Sequence, residues 1–253
     1  TESQLLFFGG QDAVTGPQDG VWLYDPIQDT ISRIAHLIQA RSGHCSAQYI
    51  DNSIVILGGA GTSNQGDLLR FYTDDSSWLS TSVGFGNGMT SEGTTGCGVA
   101  EEGKIFVQGD SQSTTGVLDP FSGTGIGEGF EPISASAAGT YVRDAIILNI
   151  EPSVFWIGGG VDIEGNIVTS EGQEFRLDSA GFVTGTPLAT PRQGASWSPW
   201  IEEGWIAVAC GYADVSSRTS VNKVELLAPG SGEKGPTVDL DRSRPGCAVT
   251  TLH

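Results

Sequence analysis

The groups in this 253-residue chain able to do acid–base, nucleophilic or metal chemistry are few and widely spaced. His44 stands beside Cys45, and Cys97, Cys210 and Cys247 are the other cysteines. No two cysteines have the C-x-x-C spacing that a zinc site uses, so no metal is expected on them. The acidic pairs Glu101–Glu102 and Glu202–Glu203 are the only adjacent carboxylates placed directly before an apolar run. Paired carboxylates suit acid–base work when burial separates their pKa values, but each pair precedes a glycine and reads as a solvated hairpin turn. His36 and His253 have no acidic partner at a helpful spacing. No Ser-His-Asp spacing and no phosphate loop is present, and the glycine-turned acidic loops at 62–67 and 161–166 lack the ligand spacing of a calcium loop. The expectation is therefore no catalytic residue, no metal and no cofactor.

Composition narrows the classes further. A net charge of −18 with only twelve Lys plus Arg excludes a nucleic-acid binder, which needs clustered cations on the phosphate backbone. No apolar run approaches the eighteen or so residues of a membrane-spanning helix, so no membrane insertion by this segment is expected. Acidity, scarce Lys and the missing initiator Met lean toward an extracellular or surface-displayed protein. Thirty-seven glycines, eleven prolines and only 17% charged residues suit many short strands joined by tight turns.

Those strands repeat. QLLFFGG (4–10), SIVILGG (53–59), KIFVQGD (104–110), SVFWIGG (153–159) and WIAVACG (205–211) align with steps of 49, 50, 50 and 52 residues between Gly10, Gly59, Gly109, Gly159 and Gly211. After each comes a strand closing in an Asp or Pro turn, such as WLYDP (22–26). Before most comes an Arg and a Gly leading a small-residue strand: ARSGHCSA (40–47), TPRQGASW (190–197) and SRPGCAV (243–249). The fourth copy, TYVRDAII (140–147), keeps Arg143 but has Asp144 and Ala145 where the glycine is expected. Four strands in fifty residues make one propeller blade, and five copies predict an all-β, five-bladed β-propeller of four-stranded antiparallel blades.

The blades are expected over 40–82, 94–130, 140–188 and 190–240, with the fifth built from 243–253 plus 3–35, in a single domain over 1–253. The C-terminal strand would then close the ring against the N-terminal blade, removing an open sheet edge. Aligned on the leading glycine, Cys45 falls on the opposite face of its strand from Cys97 and Cys247, which favours buried reduced thiols. His44 reads as a hydrogen-bonded strand residue. Most of the six tryptophans lie in strands and should pack between blades.

An Arg-x-Gly strand, an apolar run ending in Gly-Gly and a Tyr-Asp-Pro turn together resemble the Kelch repeat of the galactose-oxidase/Kelch-like superfamily, most closely over 40–59 with 70–78. Gln108–Gly109 and Cys210–Gly211 depart from the doublet, and Ile31 stands where a Trp is expected. The resemblance implies a ligand groove lined by the loops after the doublets and by the residues around Arg-x-Gly. Carried over position by position, it nominates Gln11, Asp12, Arg41, Ser42, Arg192, Gln193, Tyr212 and Arg244 as ligand-binding. The structural alternative for the arginines is a guanidinium bonded to loop carbonyls. The expected function is a non-catalytic recognition module that binds a protein or peptide through these loops. A lectin-like glycan binder is the first alternative, and an enzyme with its site at the channel mouth, as in Kelch-like oxidases, is the second.

Overall fold

The structure is a computed structural model that describes residues 5–49, 53–60, 65–72, 77–84, 96–100, 102–109, 115–119, 129–132, 142–162, 167–199 and 204–241. The fold is all-β: five four-stranded antiparallel sheets, the blades of a five-bladed propeller. No helix among the described residues is long and apolar enough to cross a membrane.

In the first sheet β1 (Leu5–Phe8) and β2 (Gln11–Asp12) lie along one side of β3 (Gly16–Asp25), and the twelve-residue β4 (Thr30–Arg41) lies along the other. The second runs in order through β5 (Cys45–Gln48), β6 (Ile54–Leu57), β7 (Gln65–Tyr72) and β8 (Ser77–Gly84). The third comprises β9 (Gly96–Val99), β10 (Ile105–Gln108), β11 (Gly116–Asp119) and β12 (Gly129–Pro132). A two-residue β13 (Val142–Arg143) precedes β14 (Ile146–Glu151) and β15 (Val154–Gly158) of the fourth sheet. β13 pairs with β16 (Val161–Asp162), and the sheet is completed by β17 (Gly172–Arg176) and β18 (Gly181–Gly185). The fifth holds β19 (Ser196–Pro199), β20 (Ile206–Ala209), β21 (Lys223–Ala228) and β22 (Glu233–Asp239).

The chain divides into two compact units. One holds Thr1–Val99, Gly103–Gly109 and Ser113–Pro132, and so the first three sheets; the other holds the remainder, with the fourth and fifth. The expected closing strand, including Arg244 and Cys247, lies outside the described residues.

Within the first unit, alternation along β6 explains the packing. Ile54 and Ile56 join Val21, Leu37 and Leu69 against the first sheet, while Val55 and Leu57 join Ile105, Val107 and Leu118 against the third. Sheets thus stack front to back. That stacking corrects the expectation of reduced thiols, because Cys45 and Cys97 form a disulfide with Cα atoms 5.8 Å apart. Cys45 is in register with Leu57 and Cys97 with Val107, so both cysteines belong to the same inter-sheet layer. Facing residues of successive sheets must come from opposite strand faces, so the opposite parity of Cys45 and Cys97 favours a bond between them. Cys210 is also disulfide-bonded, and no described cysteine is free.

The glycine doublets serve close approach. A Cβ on Gly9 would meet the Arg41 carbonyl at 2.5 Å, and one on Gly159 would meet the Arg192 carbonyl at 2.6 Å, each at the ribbon leading to the next sheet. The backbone at these positions is left-handed, and Cys210 adopts the same conformation, with φ of 64°, where its repeat lacks the glycine. Asp144 likewise takes φ of 55° where Gly43 and Gly194 take 65° and 59°. Asp tolerates this region better than most residues, which accounts for its presence in the fourth copy.

Candidate functional site

The loop ends nominated by the sequence are built the same way in both units. β4 ends at Arg41, and the following Ser42 bridges to Ala60 just past the Gly58–Gly59 doublet. In the second unit Arg192 is followed by Gln193, which bridges to Tyr212 just past Gly211 through two backbone hydrogen bonds of 3.0 Å. Arg143 on β13 pairs with Val161 at the corresponding place. The residue after the buried position is therefore held at the loop end by main-chain bonds, whatever its side chain.

Beneath these bridges the arginines are fully buried. The Arg41 guanidinium donates to the Gly58 carbonyl at 2.8 Å and to Asp67 Oδ2 at 2.6 Å. Asp67 Oδ1 accepts from the Ile38 amide and the Ser80 hydroxyl, each at 2.6 Å. Arg192 donates to the carbonyls of Cys210 and Lys223 and pairs with Glu225, whose carboxylate also accepts from the amides of Ala189 and Thr190. Burial lowers the pKa of both arginines, opposed by the carboxylate each one faces. Neither guanidinium presents a surface to a ligand; both fix the loop end from below.

The other nominated residues divide by unit. Ser42 Oγ donates to Gln11 Oε1 at 2.8 Å, so these two are brought together. Asp12 caps its own turn instead, accepting from the Val14 amide, the Thr15 amide and the Thr15 hydroxyl; these bonds hold its pKa below the usual carboxylate range. Gln193 and Tyr212 are half-buried neighbours in the second unit.

His44, two residues beyond Ser42, departs from the expected hydrogen-bonded strand residue. Its Nδ1 is buried and has no hydrogen-bond partner. The ring sits against Gly9, where a Cβ would come 3.1 Å from its Cε1, and a Cβ on Gly59 would come 3.0 Å from the His44 Cβ. Burial pushes its pKa down to about 4, Arg41 adds to the drop, and Asp67 opposes it. His44 is thus a neutral imidazole at pH 7, able to accept or donate one hydrogen bond. His36 also corrects the sequence reading: across the β3–β4 pair its Nδ1 lies 3.0 Å from Asp19, beside Arg33, in an exposed cluster. Spacing along the chain gives no sign of this, since the partners are seventeen residues apart.

A second feature was not nominated. A cavity of about 490 Å³ opens in the second unit between β14 and the fifth sheet, walled by Trp197 and Trp205 with Asn149, Ser231 and Glu233 among its polar groups. Its residues come from the ends of separate strands and from the β21–β22 turn, so no local motif marks it.

No protein-family model matches the chain, and no curated protein does. Among solved structures it is similar to a fungal alcohol oxidase of the AA5 family, in complex with copper, with a TM-score of 0.59 and 16% identity. The match covers 96% of this chain and 64% of the oxidase, so the chain spans less than two thirds of that protein. The likeness establishes the propeller fold. It also corrects the expectation of a non-catalytic recognition module, since the fold neighbour is an enzyme.

The oxidase's copper does not fit the described residues here. They contain no group of three or more His, Cys, Asp or Glu side chains able to hold a metal. The described cysteines are in disulfides, His36 is engaged with Asp19, and His44 stands beside the cationic Arg41. No reaction step is therefore assigned to copper.

Proposed function

We propose that the chain is an enzyme-type propeller acting on hydroxyl-bearing small molecules, alcohols or sugars. The observation that carries this reading is the fold likeness to an alcohol oxidase over 96% of the chain. The repeats are read with it as Kelch repeats, on the Arg-x-Gly leads, the glycine doublets and the Asp or Pro turns. At the loop end of the first unit, Ser42, Gln11 and the neutral His44 supply uncharged donors and acceptors suited to a substrate hydroxyl. Gln193 and Tyr212 are assigned the same kind of contact in the second unit. Arg41 and Arg192 are positioning residues that hold the loop ends through Asp67 and Glu225.

The test is an oxidation assay on the purified chain with a panel of primary alcohols and monosaccharides, in air, with Cu(II) added or withheld, following carbonyl and peroxide formation. Turnover of one panel member, reduced at least tenfold by His44→Ala with the fold retained, supports the reading. Absence of turnover on every member, with and without copper, overturns it.

A further inference from the structure

We propose that the cavity between β14 and the fifth sheet binds the ring of a neutral saccharide, stacked on the indoles of Trp197 and Trp205. The inference deepens the reading of the chain as an enzyme of hydroxyl-bearing compounds and rests on it for the substrate class. A volume of about 490 Å³ lies within the roughly 300–1,000 Å³ of small-molecule sites and accommodates one or two sugar rings.

The walls are set before any ligand arrives. Trp197 packs against the core of Ile146, Trp156 and Val208. Trp205 lies over the bare backbone of β22, where a Cβ on Gly235 would come 2.9 Å from its ring. Two half-buried indoles held in this way waste little conformational freedom on binding, and a large flat aromatic with one polar edge suits a partner that is apolar on its face and polar around its rim. A pyranose has that character: axial C–H groups on the faces and hydroxyls at the edge.

The polar groups match the edge. The Asn149 side-chain amide donates to the Val154 carbonyl at 3.4 Å, which leaves its own carbonyl oxygen to accept from a hydroxyl. Ser231 and Glu233 are exposed at the β21–β22 turn and add a hydroxyl and a carboxylate. Glu233, within a chain of net charge −18, selects against sugars that carry a carboxylate. Gly230 also lines the cavity; a Cβ there meets nothing within 4 Å, and its φ is not left-handed, so a side chain can be placed there without strain.

The experiment titrates the full chain with methyl glucoside, methyl galactoside, methyl mannoside, cellobiose, maltose and glucuronate, read by saturation-transfer NMR and tryptophan fluorescence. Expected is saturable binding of at least one neutral sugar, at least tenfold tighter than glucuronate, and weakened at least tenfold in Trp197→Ala and in Gly230→Leu. Gly230→Leu decides the matter should the Trp variant lose its fold, as judged by circular dichroism. The proposal is overturned when no neutral sugar saturates, when glucuronate binds as tightly, or when Gly230→Leu leaves affinity unchanged. Turnover is scored separately. Sugar binding without turnover of any alcohol removes the enzyme reading and keeps the pocket, whereas turnover together with sugar affinity unchanged in Gly230→Leu keeps the enzyme and removes the pocket.

Discussion

The Arg41 guanidinium and the Asp67 carboxylate meet at 2.6 Å with both side chains wholly inaccessible to solvent. The pair recurs as Arg192 and Glu225, and the register shows that the equivalence is structural: Asp67 lies opposite Ile56, Glu225 opposite Val208 and Gln173 opposite Ile157. In the fourth sheet the place of the arginine is taken by Val142, one residue before Arg143 and its pairing with Val161, and the carboxylate is replaced by the neutral Gln173. A buried carboxylate is present where the arginine is present to neutralise it, as the desolvation cost of an isolated charge requires.

Removing one member of the pair leaves the other charge buried alone. Arg41→Met and Asp67→Leu should each destabilise the protein by about 3–5 kcal/mol. The double variant should cost well below the sum, since no orphan charge remains. Urea denaturation of the three variants measures this; additive losses would show that the two groups do not depend on each other.

The Cys45–Cys97 disulfide closes 52 residues and links the inner strands of the second and third sheets. Chain entropy alone assigns such a loop about 4 kcal/mol. The Cys45→Ser/Cys97→Ala double variant should lower the unfolding free energy by about 2–5 kcal/mol, seen as a lower urea midpoint, with the native fold kept at low denaturant. An unchanged midpoint would place the bond outside the stability of this unit.

Periodicity made the five blades legible because each repeat carries the same apolar run with a glycine at its end. Gly58–Gly59 and Cys210–Gly211 share a left-handed backbone although their side chains differ, which is why the departure did not hide the repeat. The partner of Arg41 was not legible: Asp67 lies twenty-six residues away, in a stretch that reads as a loop and forms β7. Strand parity does not reveal the disulfide, because parity within one sheet inverts across two sheets stacked front to back. The Trp197/Trp205 cavity had no sequence signal at all, because its walls come from β14, β19, β20 and the β21–β22 turn.

Gly59 carries two separate constraints that can be told apart. Its φ is +88°, and a Cβ would stand 2.6 Å from the Ser42 carbonyl. At Gly10, φ is +108° but nothing lies within 4 Å. Gly10→Ala should therefore cost only backbone strain, about 1–2 kcal/mol, while Gly59→Ala adds the clash and should cost distinctly more. Equal thermal shifts in the two variants would mean that the Ser42 ribbon yields freely.

His44 provides a test by pH. Burial and Arg41 hold its folded pKa near 4, below the ordinary value of 6.5, so the unfolded chain binds the proton more readily than the native one. Stability contributed by the neutral ring is fully present above about pH 6.5 and is lost as pH falls toward 4. Histidine Cε1 proton shifts should show His44 unprotonated at pH 6. Arg41→Met removes one of the two causes, so in that variant the His44 midpoint should rise while staying below 6.5, because burial, the larger cause, remains. A midpoint at or above 6.5 in the unaltered protein would show that the ring is solvated, and the neutral donor–acceptor role assigned to it beside Ser42 and Gln11 would fall with that result.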